Sequence, residues 1–522
     1  MSIGVASLDP LVPVAEEVAR GASRLRRCIY CDIRLGATEV RLCRAENGAE
    51  KESIADCYLG LGVRVVAEDG ALASGFWGRV LGRADLADFP RVVREGVRHA
   101  YARARANARE KERIAAAFGA LGNALRSLPL APVPTVRTRV PPVFKRDPGS
   151  VPLEEVVRLV TQASREAGAV SPQVVFNTVI GSTALVREVF VSSEGSSIDR
   201  TYALTEGLVF VVSRGETGNF DLHDFTGHQR GWEVLTEGYH NDAIHLDPLE
   251  GFARRVAATA VEVSNASPLR PPEGEVVVVT DPHFNALLCH EVVGHPSELD
   301  RALKMETAYA GRSWLLRDLE ENMLGRQVAS PLVNAISDPT MEGFGSYPYD
   351  HEGTPARRVW HIRNGIYTEF LSSRQTAPLL GRESNGHYLA VNPFTVPLIR
   401  MSNTAFLGGD RDPRDIIGEV ERGWYVVGHR IPSVAESREN FRISAVKVYE
   451  IRNGQPGQLF RDGAVMADTM DFFMRIDAVG NDFRLFPIPN CGKGQPMQPK
   501  RMSNGGPTMR SVARLTGTRR GV

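Results

Sequence analysis

The chain has 522 residues, 43% of them hydrophobic and 24% charged, which suffices for a sizeable interior divided into two or three folded units. Lysine plus arginine and aspartate plus glutamate both number 62, so no overall field favours nucleic acid, anionic lipid or acidic substrates, and neither a nucleic-acid nor a membrane partner is expected. No run approaches the ~18 apolar residues of a membrane-spanning helix, no leader pattern opens the sequence, and six cysteines are too few for a disulfide framework. A cytoplasmic protein is expected, whose cysteines are free thiols, metal ligands or a redox pair.

Residues 10–26 place Leu11, Val14, Val18 and Ala22 near helical spacing, predicting an amphipathic helix. From 28 to 76 short alternating runs are broken by Asn47-Gly48 and Asp69-Gly70, the punctuation of an antiparallel sheet. Residues 86–125 return to alanine-rich helix, whose basic run from 91 to 113 reads as a solvated face, and the proline-rich stretch 128–150 reads as a linker or extended arm. A second unit follows, with helix over 152–168, strands over 174–214 and helix over 248–265; the two helix-and-hairpin units are candidates for distant copies of one another.

The clearest boundary is Ser267-Pro268-Leu269-Arg270-Pro271-Pro272-Glu273-Gly274. It separates an N-terminal region, 1–270, with subunits at 1–127 and 150–266, from a C-terminal region, 271–522. Beyond it a run of four valines within 275–280 predicts a buried strand, Asp281-Pro282 opens a helix, and the chain from about 333 reads as strands and turns. The expected fold class is α+β: an N-terminal α/β region with antiparallel sheets and flanking helices, then a β-rich domain carrying the helix that begins at Asp281.

That helix runs into His290-Glu291-Val292-Val293-Gly294-His295, an HExxH metal motif with one residue added. Residues four apart on an α-helix lie about 40° from alignment, so both imidazoles reach one ion; five apart they lie about 140° round, which turns the second away. The helix must therefore deform or stop between them. Gly294, through its backbone freedom, and Pro296, which disfavours helical angles at His295, are the expected means. Glu291 directly follows the first histidine, where its carboxylate can serve as general base to a metal-bound water. Taken alone, the same residues also describe a helix cap with two hydrogen-bonded histidines and a glutamate in a surface ion pair.

The surrounding residues resemble those of the TldD/PmbA family. His290 to His295, followed by Glu298 and Asp300, is similar to the TldD active-site signature; Asp350-His351-Glu352-Gly353-Thr354-Pro355 resembles its DEGTP-type turn, and Arg400-Met401-Ser402-Asn403-Thr404 its RMTNT-type strand. Asn490-Cys491-Gly492-Lys493-Gly494-Gln495-Pro496, with the glycine-rich segment from Gly505 to Arg510, resembles the C-terminal CGK motif. The chain departs from the pattern at Pro296 and Leu299, where glycines are usual.

The resemblance implies one metal held by His290, His295 and Cys491, zinc with another divalent ion as the alternative, and a fourth position left open for water. It implies hydrolysis of unfolded or extended peptides with Glu291 as base, inside a homodimer or a heterodimer with a PmbA/TldE-like subunit. Lys493 is expected to favour the Cys491 thiolate. The competing readings are a non-catalytic modulator and a metal-dependent amidohydrolase acting on small modified amides.

Cys28 and Cys31 form a CxxC followed by Cys43 and Cys57, but residues three apart on a strand point to opposite faces, so these read as structural thiols. Cys289 is expected in the core. His223, His228, His240 and His245 read as turn or hydrogen-bonding residues, and His351 as a solvent-facing turn residue.

Overall fold

Alternating, β-branched runs draw the first half of the chain into very long strands. The computed structural model describes residues 4–127, 130–216, 218–308 and 311–517; residues 128 and 129 of the expected linker lie outside these. The first unit consists of α1 (Val12–Ala22), β1 (Cys28–Glu46), β2 (Ala49–Asp69), β3 (Ala71–Leu81) and α2 (Phe89–Ile114). The second repeats that order with α3 (Leu153–Ala169), β4 (Val174–Ser192), β5 (Ser197–Gly215), β6 (Gly218–His228) and α4 (Leu249–Asn265). Asn47 and Gly48 both take positive φ, 49° and 77°, the conformation that the Asn-Gly pair signals for a two-residue hairpin turn.

The two units share one sheet. β1 runs antiparallel to β4 from Asp32 opposite Ser192 to Glu46 opposite Thr178, giving the order β3-β2-β1-β4-β5-β6, with the short strand Arg137–Val140 parallel to β5. Leu35, Leu61 and Val63 pack with Val93 and Ala100 of α2, while Val179 and Val209 pack with Val156 and Val160 of α3 and Ala257 of α4.

After the boundary segment, β7 (Val276–Thr280) enters an eight-stranded sheet between parallel β9 (Arg422–Val434) and antiparallel β13 (Met509–Thr516). A six-stranded sheet contains β8 (Thr404–Phe406), β11 (Arg484–Lys493) and β12 (Gln498–Gly506). Between the sheets lies α5 (Pro282–Cys289), capped as expected by Asp281, whose side chain accepts from the Phe284 amide at 2.8 Å. Phe284, Leu288, Val292 and Val293 anchor it in the largest core, and Cys289 is buried there as expected. The fold is α+β.

The two halves meet along a fitted seam. Residues 391–396 cross the first sheet above Gly62, where a Cβ would stand 1.8 Å from the Pro393 carbonyl oxygen. Arg64 of β2 donates to Asp32 and to Glu352, both at 2.7 Å, so the DEGTP-type turn belongs to this seam.

Candidate metal centre

The helix does deform between the two histidines, by a different route from the one expected. His290–Gly294 form a π-helical turn, closed by the His295 amide donating to the His290 carbonyl, and His295–Ser297 continue as a 3-10 turn. Hydrogen bonds spanning five residues widen the helix and bring residues five apart back onto one face. Gly294 (φ −62°, ψ −59°) and His295 (φ −60°, ψ −44°) both have right-handed helical angles, so neither unusual glycine geometry nor an extended residue before Pro296 is involved. The glycine serves by clearance: a Cβ at Gly294 would lie 1.9 Å from the Met401 sulfur. Three carbonyls of the widened turn accept from side chains, Glu291 from Arg438 (2.8 Å), Val292 from Trp314 (3.0 Å) and Val293 from Ser297 (2.6 Å).

The imidazoles of His290 and His295 stand edge to face with centroids 4.7 Å apart. Cys491 reaches them from β11, beside a bulge in its pairing with β12, and its sulfur lies 3.6 Å from His295 Nε2. The ligand atoms of the three residues lie within 4.8 Å of one another, and each residue is 4% exposed. Among the described residues this is the one His/Cys/Asp/Glu group so arranged; Cys28, Cys31, Cys43 and Cys57 form none.

Each ring is oriented through Nδ1. His290 Nδ1 donates to Asn504 Oδ1 (3.0 Å), whose amide nitrogen donates in turn to the Thr404 carbonyl (3.1 Å). His295 Nδ1 donates to Glu298 Oε2 (3.1 Å). This tautomer leaves Nε2 of each ring for a metal, the arrangement in which outer partners fix metal-binding histidines. Two imidazoles and a thiolate, converging with their outer nitrogens engaged, fit zinc.

Charge is arranged to match. Burial alone would raise the Cys491 thiol, but His290 and His295 beside it hold it well below the ordinary thiol value. Burial lowers His290, yet Cys491 and Glu291 carry it up to about 9. The thiolate, the form of cysteine that binds a metal, is thus favoured at Cys491. Lys493 does not act on the thiolate as expected. It is fully buried, with its ammonium 2.7 Å from Asp300, 2.7 Å from the Ile399 carbonyl and 3.2 Å from Glu298. Burial pushes Glu298 up, but Lys493, His295 and Arg301 hold it well below the usual carboxylate range.

Glu291 lines the same cleft, which encloses about 430 Å³ and is also bordered by His223, His283, His429 and Phe486. It is ion-paired with buried Arg438, although in a half-buried position at the cleft wall and not on the open surface. Burial raises its carboxyl, and Arg438, His290 and His295 bring it down to about 2, so it is ionised. Of the other sequence candidates, His223 borders the cleft; His228 is buried against Tyr239, and His240 and His245 face one another on a separate hairpin. His351 stands 3.6 Å from Glu188 and accepts from the Ala390 amide, away from the cleft. Arg400 of the RMTNT-type strand donates to the Cys491 carbonyl at 2.5 Å and so steadies the strand that presents the sulfur. Asn504 and Arg438 were absent from the sequence candidates: Asn504 directly precedes the glycine pair of a recognised segment, while Arg438 carries no local signal.

Residues 273–515 match the family model described as the PmbA/TldA metallopeptidase C-terminal domain. A protein named metalloprotease from Methanothermobacter thermautotrophicus is 32% identical over 70% of this chain and 74% of its own length. A zinc metalloprotease TldD homolog from Saccharolobus solfataricus is 28% identical over 45% of this chain and 50% of its own. Among solved structures, TldE from Thermococcus kodakarensis superposes with a TM-score of 0.67 at 16% identity, covering 98% of this chain and 100% of its own. A Thermotoga maritima protein described as a candidate modulator of a DNA gyrase gives 0.70 at 15% identity, covering 97% of this chain and 99% of its own. At such identities the structural likeness concerns the fold alone.

Proposed function

The chain belongs to the TldD/PmbA metallopeptidase family, and on that premise we propose that it is a zinc-dependent peptidase acting on unfolded or extended peptides, with His290, His295 and Cys491 as ligands and Glu291 as general base. The observation that carries this reading is the convergence of three donors from two remote segments at the wall of a cleft that Glu291 also lines. A zinc ion held there would supply Lewis acidity to the scissile carbonyl and to the attacking water.

Glu291 is ionised and accepts the proton of the attacking water, then passes it to the departing amine. Asn504 and Glu298 keep the two rings aimed, and Arg400 keeps the Cys491 strand in place. The donors are nearly enclosed, so an extended segment reaches them where the surface of a folded protein does not; this favours unfolded peptides as substrates. A second copy of this chain or a PmbA/TldE-like subunit is the proposed partner, a reading that rests on membership of the TldD/PmbA family. A purely structural modulator has no use for an ionised carboxylate beside a convergent N/N/S set.

The purified protein is expected to hold an equimolar amount of zinc and to cleave an unfolded peptide, tested with and without a PmbA-like subunit. A chelator should abolish cleavage and zinc should restore it. Folded protein devoid of metal, or cleavage indifferent to chelation, refutes the reading.

A further inference from the structure

The residue that touches the base of the proposed reaction comes from none of the recognised motifs. Arg438 sits in the turn between β9 and β10 (Asn440–Arg452), is 4% exposed, and lines the metal cleft. Its Nη1 donates to the main-chain carbonyl of Glu291 at 2.8 Å and also to the Glu291 carboxylate. Glu291 is its acidic partner among the described residues, and Nε has no acceptor.

The backbone that carries this guanidinium is strained. Arg438 has φ +65°, a left-handed conformation that is unfavourable for a side-chain-bearing residue and persists where the surroundings enforce it. They do so here: the Arg438 amide donates to the Ala435 carbonyl (2.9 Å), and its own carbonyl accepts from the hydroxyl of buried Thr469 (2.8 Å) at the start of α6 (Thr469–Met474). The neighbouring Glu439 carbonyl accepts from the Thr469 amide at 2.8 Å. A turn pinned at two successive carbonyls thus holds one nitrogen against both the backbone and the side chain of Glu291. The residue five on from Glu291 is Pro296, which has no N–H to continue the π-type bonding, and the Arg438 nitrogen donates to the Glu291 carbonyl.

We propose that Arg438 is a positioning residue for the peptidase reaction: by gripping carbonyl and carboxylate together it locks the rotamer of Glu291 at the cleft wall. This rests on Glu291 being the base. A guanidinium suits the task because its planar fork fixes direction as well as distance, which a lysine ammonium does not.

The test compares Arg438→Met, Arg438→Lys, Glu291→Gln and the double variant Glu291→Gln/Arg438→Met in the zinc-loaded protein, reading zinc content, kcat and KM on an unfolded peptide. Arg438→Met is expected to keep its zinc and lose kcat about 10–100-fold with KM little changed, as for other orienting partners of a site. Arg438→Lys should recover part of the loss. The double variant should be no slower than Glu291→Gln, because the arginine acts through the glutamate.

Parental kcat in Arg438→Met, a rise in KM without a fall in kcat, or a double variant slower than Glu291→Gln by the whole single-variant factor overturns the proposal. Should Arg438→Met fail to fold, Arg438→Lys at the parental kcat overturns it equally. Parental speed in Glu291→Gln itself removes the base assignment, an outcome distinct from a slow Glu291→Gln beside a fast Arg438→Met.

Discussion

At the proposed metal centre buried charge surrounds a cavity, whereas at the seam between the two halves buried charge closes on itself. Glu298, Arg301 and Lys493 are fully buried, yet the network they form ends on His295, which faces the cleft with Cys491 and Glu291. At the seam Arg64 is shared between Asp32 and Glu352, and the second Glu352 oxygen takes the Arg374 amide at 2.7 Å. Both clusters include residues of recognised motifs. The difference teaches that a family signature marks residues under constraint without saying of which kind: the DEGTP-type turn locks the halves together, while the CGK motif supplies a thiolate to a cleft.

The largest effect is expected at Cys491. Cys491→Ala should strip most of the zinc, as measured by elemental analysis, and bring peptide hydrolysis to background; undiminished metal would erase the contrast between cleft and seam. Next, Glu291→Gln keeps shape and removes the base, so it should fold, retain zinc and cleave unfolded peptide about 10²–10⁴-fold more slowly.

At the seam the readout should change from activity to stability. Glu352→Ala leaves Arg64 with half of its pairing and is expected to lower the stability seen in denaturant titration by about 3–5 kcal/mol, with zinc stoichiometry untouched. Loss of zinc in this variant would show that the two clusters are coupled.

A pH effect should follow from fully buried histidines outside the metal set. Burial holds His361 near 4 and His387 near 3, below the value of 6.5 expected for an unfolded histidine. Below pH 6.5 the unfolded chain binds protons that the folded one refuses, so stability is full above that pH and falls as pH drops toward the folded values. The loss at the acid end is roughly 3 kcal/mol for His361 and roughly 5 kcal/mol for His387. Thermal scans of metal-free Cys491→Ala protein should show this slope, and His361→Gln/His387→Gln should flatten it. The smallest effect is expected from Cys28→Ser/Cys31→Ser, which should leave zinc content unchanged; loss of a second equivalent would place a metal site in the N-terminal sheet.

Local pattern settled a good deal. Residue alternation and the Asn47-Gly48 pair located the first hairpin, valines marked β7, Asp281-Pro282 marked the start of α5, and the five-residue spacing of His290 and His295 required a break in regular helix. These features depend on periodicity and on residues close in the chain, which sequence displays directly. How the break is made was decided elsewhere: Met401 lies 107 residues from the Gly294 it crowds, and the carbonyls of the turn are satisfied by Arg438, Trp314 and Ser297. Lys493 stands two residues from Cys491, yet its charge meets Asp300 and Glu298 because the β11–β12 hairpin turns it toward the segment after α5. Which charges face a cavity and which face each other depends on how the sheets stack, and that is set by packing among residues far apart in the chain.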